Sequence, residues 1–292
     1  MQSTRTGLIA LHSGCLLLGG TALFSKLLEL PALDITLWRS LIAAVGLGLF
    51  IVIRGSSLRL ASSLDYVIIC ALGVILALHW VTYFHAMQVS TIAIGIIAFF
   101  SHPVISVLLE SVFAQRKPRF SDLLCGLWVI AGIAVMLPNL SGGSAASGIG
   151  WGLFSALLFS LRNILYKRYC SHYDSSLAMM YQCLIVAIVL LPFGNSLLSN
   201  LSINGWLLLL LLGTLFTATP HTLFSLSLRL LPVSTASLIM CTVPLYAVLL
   251  AAVLLGEIPE MRTILGGAMV IGAALYESLR ISHISAVTEN NR

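Results

Sequence analysis

Four polar side chains recur along one apolar stretch of the sequence, and their types suit a binding site for a small solute. Thr214, Thr217, His221 and Ser225 follow one another at intervals of three and four residues, so an α-helix would present them on a single face. Pro220, beside His221, removes one backbone hydrogen bond and allows the helix to bend. The stretch therefore predicts a row of groups that line a cavity. The alternative is that the hydroxyls bond to carbonyls of their own helix and pack between helices.

A second group of chemically capable side chains lies in "LHWVTYFHAM" at 78–87. His79 and Tyr83 are four residues apart and share a helix face, and Trp80 lies on the neighbouring face. Such a group suits an organic substrate held by stacking and hydrogen bonds, or a cation held by ring electrostatics. Simple packing is the alternative for these aromatic rings. We expect His85, nearer the end of the stretch, to be solvated.

Single arginines stand inside stretches that are otherwise apolar, where a charge is costly and indicates a specific partner or function. Arg39 could pair with Asp34, five residues before it, or receive a substrate carboxylate. Arg162 precedes Asn163, and both are candidates for substrate binding. Alternatively, the Arg162 side chain reaches along the apolar surface toward water beside Lys167.

Two further residues are candidates for carrying a proton. His102 has the side chain that titrates near neutral pH, and it directly precedes Pro103. Glu110 lies seven residues after Pro103, roughly on the same helix face, and could pair with Arg162 or Arg116.

Composition decides which solvent surrounds these residues. Of 292 residues, 59% are hydrophobic and 9% are charged, and the mean hydropathy exceeds +1, whereas about a quarter of the residues of a soluble domain are charged. The chain must therefore lie in a lipid bilayer. The net charge of +5 comes from basic residues scattered singly, without a basic face, which excludes nucleic acid as a partner. The six cysteines lack the close spacing of a metal site or redox pair, and we expect neither metal nor cofactor.

Charges, prolines and small polar clusters divide the sequence into ten stretches long enough to cross a bilayer as helices. The sequence therefore predicts an all-α integral membrane protein with ten transmembrane helices. They cover about residues 7–26, 35–53, 66–86, 91–114, 121–138, 148–166, 176–193, 205–226, 233–255 and 261–279. The loops between them are short, and the uncharged "NLSGGSAASG" is the most flexible.

Lys and Arg are distributed unequally between alternate loops, which predicts the orientation of the chain. With a cytoplasmic N-terminus, the inner segments hold eleven basic residues and the outer segments hold only Lys26 and Arg262. Both termini are therefore expected in the cytoplasm.

Prolines, glycines and one lysine of the first half recur in the second half at a constant offset in residue number. The matched pairs are Pro103 with Pro244, Pro118 with Pro259, Gly126 with Gly267, and Lys26 with Lys167. The difference in number, called the repeat offset below, is 141 in each pair.

This offset indicates a duplication of a unit with five spans. An odd number of spans turns the second copy upside down, and carriers built in this way rock two halves about a site near the membrane midplane. The predicted units are a first repeat at 1–138, an external Gly/Ser linker at 139–147, an inverted second repeat at 148–280 and a cytoplasmic tail at 281–292.

The stretch "LLGEIPE" at 254–260 places two acids and a proline between the last two predicted spans. It reads as a helix end at the outer surface, with Pro259 in the first turn of the next helix. The alternative is that Glu257 binds a substrate amine or a proton. Position 116, the counterpart of Glu257 in the first half, is an arginine, so the two halves do not share this acid.

Several motifs are those of a known family. The sequence has "TALFSK" at the end of the first span, "LWRSLIAA" in the second, and a proline separated by eleven residues from "GE", followed by "LGGAMVIGAAL". In these features the chain resembles the drug/metabolite transporter superfamily, and within it the EamA-type bacterial carriers. The resemblance covers both halves. It implies a ten-helix carrier of the bacterial cytoplasmic (inner) membrane, most often an exporter of amino acids or other small metabolites.

Three functional classes can be compared on this basis. The inverted duplication and the polar helix face favour a secondary active transporter of a small organic metabolite, and no "GxxxxGK[ST]" motif indicates ATP hydrolysis. An enzyme is not expected, because neither an HExxH nor a GxSxG motif is present. A lipid-handling flippase or scaffold of the same fold is the alternative. The candidate partners are a small-molecule substrate, the lipid bilayer and a second copy of the chain in a homo-oligomer.

Overall fold

The fold is described from a computed structural model that covers residues 2–21, 24–28, 30–90, 98–115, 117, 119–136, 145–194, 201–255 and 261–290. Within these ranges the chain is helical and contains no β-strand, so the predicted all-α class is confirmed. Glu257 and most of the predicted external linker lie outside the described residues.

The helices of the first half are α1 (Gln2–Thr21), α2 (Phe24–Leu27), α3 (Ala32–Ile53), α4 (Ser63–Val89), α5 (His102–Phe113) and α6 (Phe120–Met136). Those of the second half are α7 (Ala145–Leu165), α8 (Ser175–Leu190), α9 (Ile203–Gly213), α10 (Thr219–Leu230), α11 (Val233–Met240), α12 (Val243–Leu255) and α13 (Met261–Asn290). Two wider π-helical turns supplement them. Tyr166–Cys170 extends α7, and Thr214–Ala218 joins α9 to α10.

Five helical segments of the described chain are long and apolar enough to cross a membrane. They are Leu33–Ile53, Ser63–Ala86, Ala146–Cys170, Ser175–Phe193 and Ile203–Leu230. Shorter apolar segments cover His102–Phe113, Phe120–Val135, Val233–Tyr246 and Ile264–Ala273. The exterior carries large apolar side chains such as those of Ile53 and Val253, whereas the side chains of Arg39, Arg162 and His79 are buried. This arrangement is the reverse of a soluble protein and identifies a multi-pass membrane protein.

Two boundaries of the predicted units lie inside helices. α7 begins at Ala145, so the last residues of the predicted linker are already helical. α13 runs on to Asn290, because neither glycine nor proline interrupts the chain after Gly272. Residues 281–290 of the predicted tail therefore extend the final helix.

The start of α4 and the start of α9 carry serine caps at corresponding places in the two halves. Ser62 Oγ accepts from the Asp65 amide, and the Asp65 carboxylate accepts from the Ser62 amide at 3.0 Å, which forms a capping box. Ser202 Oγ accepts from the Gly205 amide at 3.2 Å. The spacing of the two capping serines falls one residue short of the repeat offset.

The stretch predicted as the ninth span is interrupted near its middle. The turn Cys241–Thr242 separates α11 from α12, and its counterpart at the repeat offset, the turn Phe100–Ser101, precedes α5. Pro103 and Pro244 follow these turns in the first turn of a helix, where a missing amide hydrogen costs little. A break within a spanning helix of a carrier often borders its binding site.

Helices of the two halves pack in equivalent pairs. α4 packs on α7, and α10 packs on α1 in the same relation, while α3 packs on its counterpart α8. Gly48, late in α3, lies beside Met180, early in α8, and Leu37, early in α3, lies beside Gly194, just after α8. The counterparts α3 and α8 are therefore antiparallel.

Glycines permit the same close approach in both equivalent pairs. A Cβ added at Gly148 of α7 would overlap Ser90 at the end of α4. A Cβ added at Gly7 of α1 would lie 3.0 Å from Cγ of Leu231, which follows α10. The repeat offset relates Gly7 to Gly148, and it also relates Ser90 to Leu231.

Candidate functional site

His79 is fixed in the centre of the bundle by Ser155 of α7. His79 Nδ1 lies 2.8 Å from Ser155 Oγ and 3.2 Å from the Ser155 carbonyl oxygen, and Ser155 Oγ donates to the His79 carbonyl at 3.0 Å. Because the hydroxyl hydrogen is committed to that carbonyl, we assign the imidazole proton to Nδ1, which donates it to Ser155. In this tautomer, Nε2 is left as a hydrogen-bond acceptor.

Aromatic rings surround His79 and connect it to His102. Phe99 stacks on the His79 ring at 5.2 Å between centroids, Phe159 lies at 5.1 Å and Tyr83 at 6.3 Å. The His102 ring contacts the same two phenylalanines, at 5.0 Å from Phe99 and 4.9 Å from Phe159. The two histidines therefore share one aromatic cluster beside the turn that precedes α5.

Arg39 reaches from α3 onto the indole ring of Trp80. Its Cζ lies 4.5 Å from the ring centroid, a cation–π geometry, and the indole also contacts the His221 ring at 5.4 Å. The pairing with Asp34 considered above is not made by Arg39, because a spacing of five residues places Asp34 on a different side of the helix.

Arg162 is buried inside the bundle. Its Nε donates to Gln182 Oε1 at 2.8 Å, one terminal nitrogen donates to Asn163 Oδ1 at 3.0 Å, and the other lies 3.7 Å from Met179 Sδ. Only 2% of the residue is exposed, so the alternative in which the side chain reaches water beside Lys167 is wrong. The hydrogen-bonding groups of α7 and α8 hold the guanidinium in the interior instead.

The two guanidinium groups converge on one region of the core. Arg39 lies on α3, Arg162 bonds to Gln182 of α8, and these two helices pack against each other. Within the described part of the chain, no carboxylate lies at salt-bridge distance from either guanidinium. The centre of the bundle therefore holds two buried positive charges without a protein counter-ion among the described residues.

Several buried polar atoms of the candidate residues have no hydrogen-bond partner in the described structure. They are Arg39 Nε, both ring nitrogens of His102, Asn163 Nδ2, Thr217 Oγ1 and Ser225 Oγ. Buried polar groups in proteins are nearly always hydrogen-bonded, so an accumulation of unpaired ones on inward-facing helices is typical of a site that binds a polar ligand or water.

The four polar side chains of the eighth predicted span do not all lie on one face of the helix. Thr217 and Ser225 are fully buried and His221 is half-buried, whereas Thr214 is exposed on the outer surface. Thr214 Oγ1 donates to the Leu210 carbonyl at 2.7 Å. For this one hydroxyl, the alternative of a bond to the backbone of its own helix is therefore correct. The physical reason is the π-helical turn that begins at Thr214, because its wider turn rotates the later residues relative to this one.

Glu110 lies away from Arg162, contrary to one predicted pairing. Its carboxylate accepts from the amides of Val233 and Ser234 at 3.4 and 3.0 Å, at the start of α11. A helix start offers free amides and a positive dipole end, which suits a carboxylate. The other considered partner, Arg116, lies outside the described residues.

His85 also differs from expectation. Its ring is half-buried rather than solvated, and it packs edge-on against Trp151 at 5.0 Å between centroids. The physical reason is the close packing of α4 on α7, which covers this end of α4.

Ser155, Gln182, Phe99 and Phe159 belong to the site although the sequence did not single them out. Ser155 and Gln182 lie on α7 and α8, 76 and 20 residues from the side chains that they contact. One signal was available for Ser155, because the repeat makes it the counterpart of Gly14. A Cβ added at Gly14 would lie 3.2 Å from the carbonyl oxygen of Pro220, and Pro220 is the counterpart of His79.

Comparison with known proteins adds family information to this geometry. The model of a family described as the EamA-like transporter family matches residues 5–137 and again residues 146–278. Both ends of the second match are displaced from those of the first by the repeat offset that was read from the prolines and glycines.

Proteins of Bacillus subtilis (strain 168) are among the relatives. The chain is 28% identical over 282 residues to "Uncharacterized transporter YxxF", covering 92% of this chain and 89% of that one. It is 24% identical to "Uncharacterized transporter YdfC", covering 87% and 84%. A solved crystal structure superimposes with a TM-score of 0.82 over 96% of this chain and 99% of that chain. At 17% identity that likeness concerns the fold alone.

Proposed function

Because the chain belongs to the EamA-like transporter family, we propose that it is a secondary carrier that moves a small organic metabolite bearing an anionic group across the cytoplasmic membrane. The observation that carries the proposal is the pair of buried guanidinium groups, Arg39 and Arg162, without a counter-ion among the described residues. A buried charge without a counter-ion is unfavourable even where neutral groups hydrogen-bond to it. A carboxylate, sulfonate or phosphate of the substrate would supply the missing negative charge to both.

The other candidate residues would contact the remainder of that substrate. Trp80, Tyr83 and the His221 ring offer flat faces for an organic group, and His79 Nε2 offers a hydrogen-bond acceptor. The unpaired amide of Asn163 would act as a donor, while the hydroxyls of Thr217 and Ser225 would donate or accept. In this proposal the substrate lies between α3, α4, α7 and α10, which come from both halves of the chain.

Alternating access is the proposed mechanism, with ten transmembrane helices arranged as two inverted repeats at 1–138 and 148–280. The antiparallel packing of the counterparts α3 and α8 supports it, since only an axis perpendicular to the helices relates such a pair. Rocking of one repeat against the other would open the site to each side in turn. The basic residues of the predicted inner loops support cytoplasmic termini.

Export is the proposed direction, and His102 and Glu110 are the proposed residues for proton coupling. Both ring nitrogens of His102 are buried and without a partner in the described structure, so a proton taken up there would change the charge of the core directly. Export and coupling would be measured together, by imposing a pH gradient of either sign on vesicles that contain the purified protein.

The substrate would be identified by comparing metabolites inside and outside cells with and without the protein. The proposal expects an anionic, water-soluble compound to accumulate outside cells that make the wild type, and not outside cells that make the variant Arg162→Gln. The matched control is Arg54→Gln, since Arg54 follows α3 and is exposed.

A different result would contradict the proposal and favour the lipid-handling alternative. In that case the purified protein retains a defined lipid headgroup, and no water-soluble compound changes between the two cell types.

A further inference from the structure

The two halves of the chain are joined by a polar seam between α5 and α11. Ser237 Oγ of α11 donates to Ser106 Oγ of α5 at 2.9 Å, and Ser106 Oγ donates to Ser160 Oγ of α7 at 3.0 Å. Ser160 Oγ in turn donates to the His102 carbonyl at 3.1 Å. All three hydroxyls are fully buried, and their chain leads from α11 to the aromatic cluster of the candidate site.

Glu110 connects α5 to α11 a second time, about one helical turn beyond Ser106. His102, Ser106 and Glu110 are spaced by four residues on one face of α5. The Glu110 carboxylate holds the first amides of α11, Val233 and Ser234, so a side chain of the first half caps a helix of the second half.

A cavity of about 250 Å³ begins at this carboxylate. Its lining includes Glu110, Ser234, Lys117, Arg119, Asp122 and Arg280. Asp122 of α6 and Arg280 of α13 form an ion pair across it, again between the two halves. Lys117, Arg119 and Arg280 all belong to the segments predicted to be cytoplasmic, so the cavity lies on the face that is predicted to be the cytoplasmic one.

We propose that the α5–α11 seam is the cytoplasmic gate of the carrier and that Glu110 is its latch. The inference rests on the proposed alternating access and adds the element that closes one side. Opening requires the Glu110 carboxylate to leave the amides of α11 and the Ser106–Ser237 bond to break. The cavity then continues past Ser160 to His102 and the substrate site.

The hydrogen-bonded hydroxyls of Ser237, Ser106 and Ser160 hold three helices together and do not conduct protons. Their chain of hydrogen bonds ends on the backbone carbonyl of His102, and a carbonyl oxygen cannot pass a proton on to the imidazole ring. Both ring nitrogens have no partner among the described residues. The three serines therefore tie α5, α7 and α11 together in the closed arrangement.

The polar residues that form the proposed latch occur in the first half of the sequence and are not repeated in the second half. The counterparts of Ser106 and Glu110 at the repeat offset are Ala247 and Ala251, which have no side-chain hydrogen bonds to offer. The sequence therefore does not repeat either polar group in the second half, and the proposed latch acts on the cytoplasmic side alone.

Thiol labelling from each side of the membrane tests the gate. The background lacks the six native cysteines, and Ser225→Cys supplies one reactive group in the core. A membrane-impermeant maleimide is applied to inside-out and right-side-out vesicles. Glu110→Ala should increase labelling from the cytoplasmic side by about tenfold, since a charge-assisted hydrogen bond has been lost. Labelling from the outside should fall. Glu110→Gln, which keeps an acceptor oxygen, should have a smaller effect.

Asp174→Ala is the matched control. Asp174 also caps a helix start, accepting from the Ser176 amide at 2.9 Å, but both residues belong to the second half. The Asp174→Ala variant should be labelled from both sides to the same extent as the parent protein, which carries Ser225→Cys alone. The gate is refuted if Glu110→Ala leaves the labelling from both sides unchanged. It is also refuted if the labelling rises from both sides together, as a general loss of packing would cause. Parent protein that is labelled from neither side would instead refute alternating access itself.

A reversible cross-link gives a second test that does not depend on Glu110. In the same background, Ser106→Cys with Ser237→Cys places two thiols where the hydroxyls are now 2.9 Å apart. Oxidation should abolish cytoplasmic labelling at position 225 while external labelling persists, and reduction should restore it. Cytoplasmic labelling that survives complete oxidation would show that the substrate passes elsewhere.

Discussion

Trp80 and His221 are counterparts in the two halves of the chain, and their rings touch. The repeat offset relates them in sequence, and their ring centroids are separated by 5.4 Å. Two equivalent residues can meet only near the axis that relates the repeats. Trp80 also lies under Arg39, so the buried charge, the repeat axis and the candidate site coincide. A carrier with a substrate at its repeat axis can expose it equally well to either side.

The first prediction concerns the orientation of His79. Ser155→Ala removes the nearer acceptor of Nδ1, leaves only the carbonyl oxygen at 3.2 Å, and should lower transport about fivefold to tenfold, because the shorter of the two hydrogen bonds that select the tautomer is lost. Ser155→Thr keeps a hydroxyl and should restore most of the activity. The change should also alter the pH profile of transport, since an imidazole that loses a hydrogen-bond acceptor binds a proton less readily. Equal activity in both variants, with an unaltered pH profile, would mean that Ser155 serves packing only.

The second prediction uses two threonines three residues apart. Thr217 is buried with an unpaired hydroxyl, whereas Thr214 is exposed and bonded to its own helix. Thr217→Val should reduce transport in vesicles at unchanged protein level, and Thr214→Val should not. Comparable losses in both variants would exclude a binding role for the Thr217 hydroxyl.

The third prediction concerns the contact between α7 and α4. Gly148→Val inserts a side chain into the space of Ser90 and should destabilise the protein by about 1–3 kcal/mol. Gly150→Val is the control, because a Cβ there meets no atom within 4 Å. The apparent midpoint of thermal unfolding in detergent should fall by several degrees for the first variant only. A similar midpoint for both would contradict the close approach of these helices.

Much of this architecture could be predicted from the sequence, because the repeat offset is found by comparing residue types along the chain. No knowledge of the tertiary structure is needed for that comparison. A slip in that offset, however, had no explanation until the structure was available. Gly73 and Gly213 fall one residue short of the repeat offset, as do the capping serines, whereas Trp80 and His221 keep it. The extra residue falls in the π-helical turn between Gly213 and Thr219, and a π turn is the form that one inserted residue takes within a helix.

The partners of the buried charges could not be predicted in the same way. Glu110 caps a helix that begins 123 residues later in the chain, and Arg162 bonds to Gln182 on the next helix. Neither contact leaves a periodic trace in the sequence, since one polar pair between helices is compatible with many packings. The arginines, Glu110 and the histidines stand out in the sequence because they interrupt apolar stretches. The groups that the arginines contact depend on how α3, α7 and α8 pack together.

The fourth prediction concerns topology. A reporter fused after Arg119 should read cytoplasmic, and one inserted at 141–147 should read external, because five spans separate the termini of the first repeat. A cytoplasmic reading for the 141–147 insertion would contradict the inverted arrangement and, with it, the position proposed for the gate.

The final prediction concerns the two arginines, and it tests the central claim. Once a metabolite has been identified, its uptake is measured in vesicles that contain wild-type protein, Arg39→Gln or Arg162→Gln, with Arg54→Gln as the control for a lost surface charge. Removing a charge that binds an anion inside the protein should lower uptake by at least about tenfold. The neutral methyl ester of the metabolite should compete poorly in the wild type.

The competition by this ester is the most direct single measurement. The account predicts that the ester is at least about tenfold weaker than the free acid for the wild type, and that this preference disappears in Arg39→Gln and Arg162→Gln. An ester that competes as well as the acid in the wild type would contradict an anion site at the repeat axis.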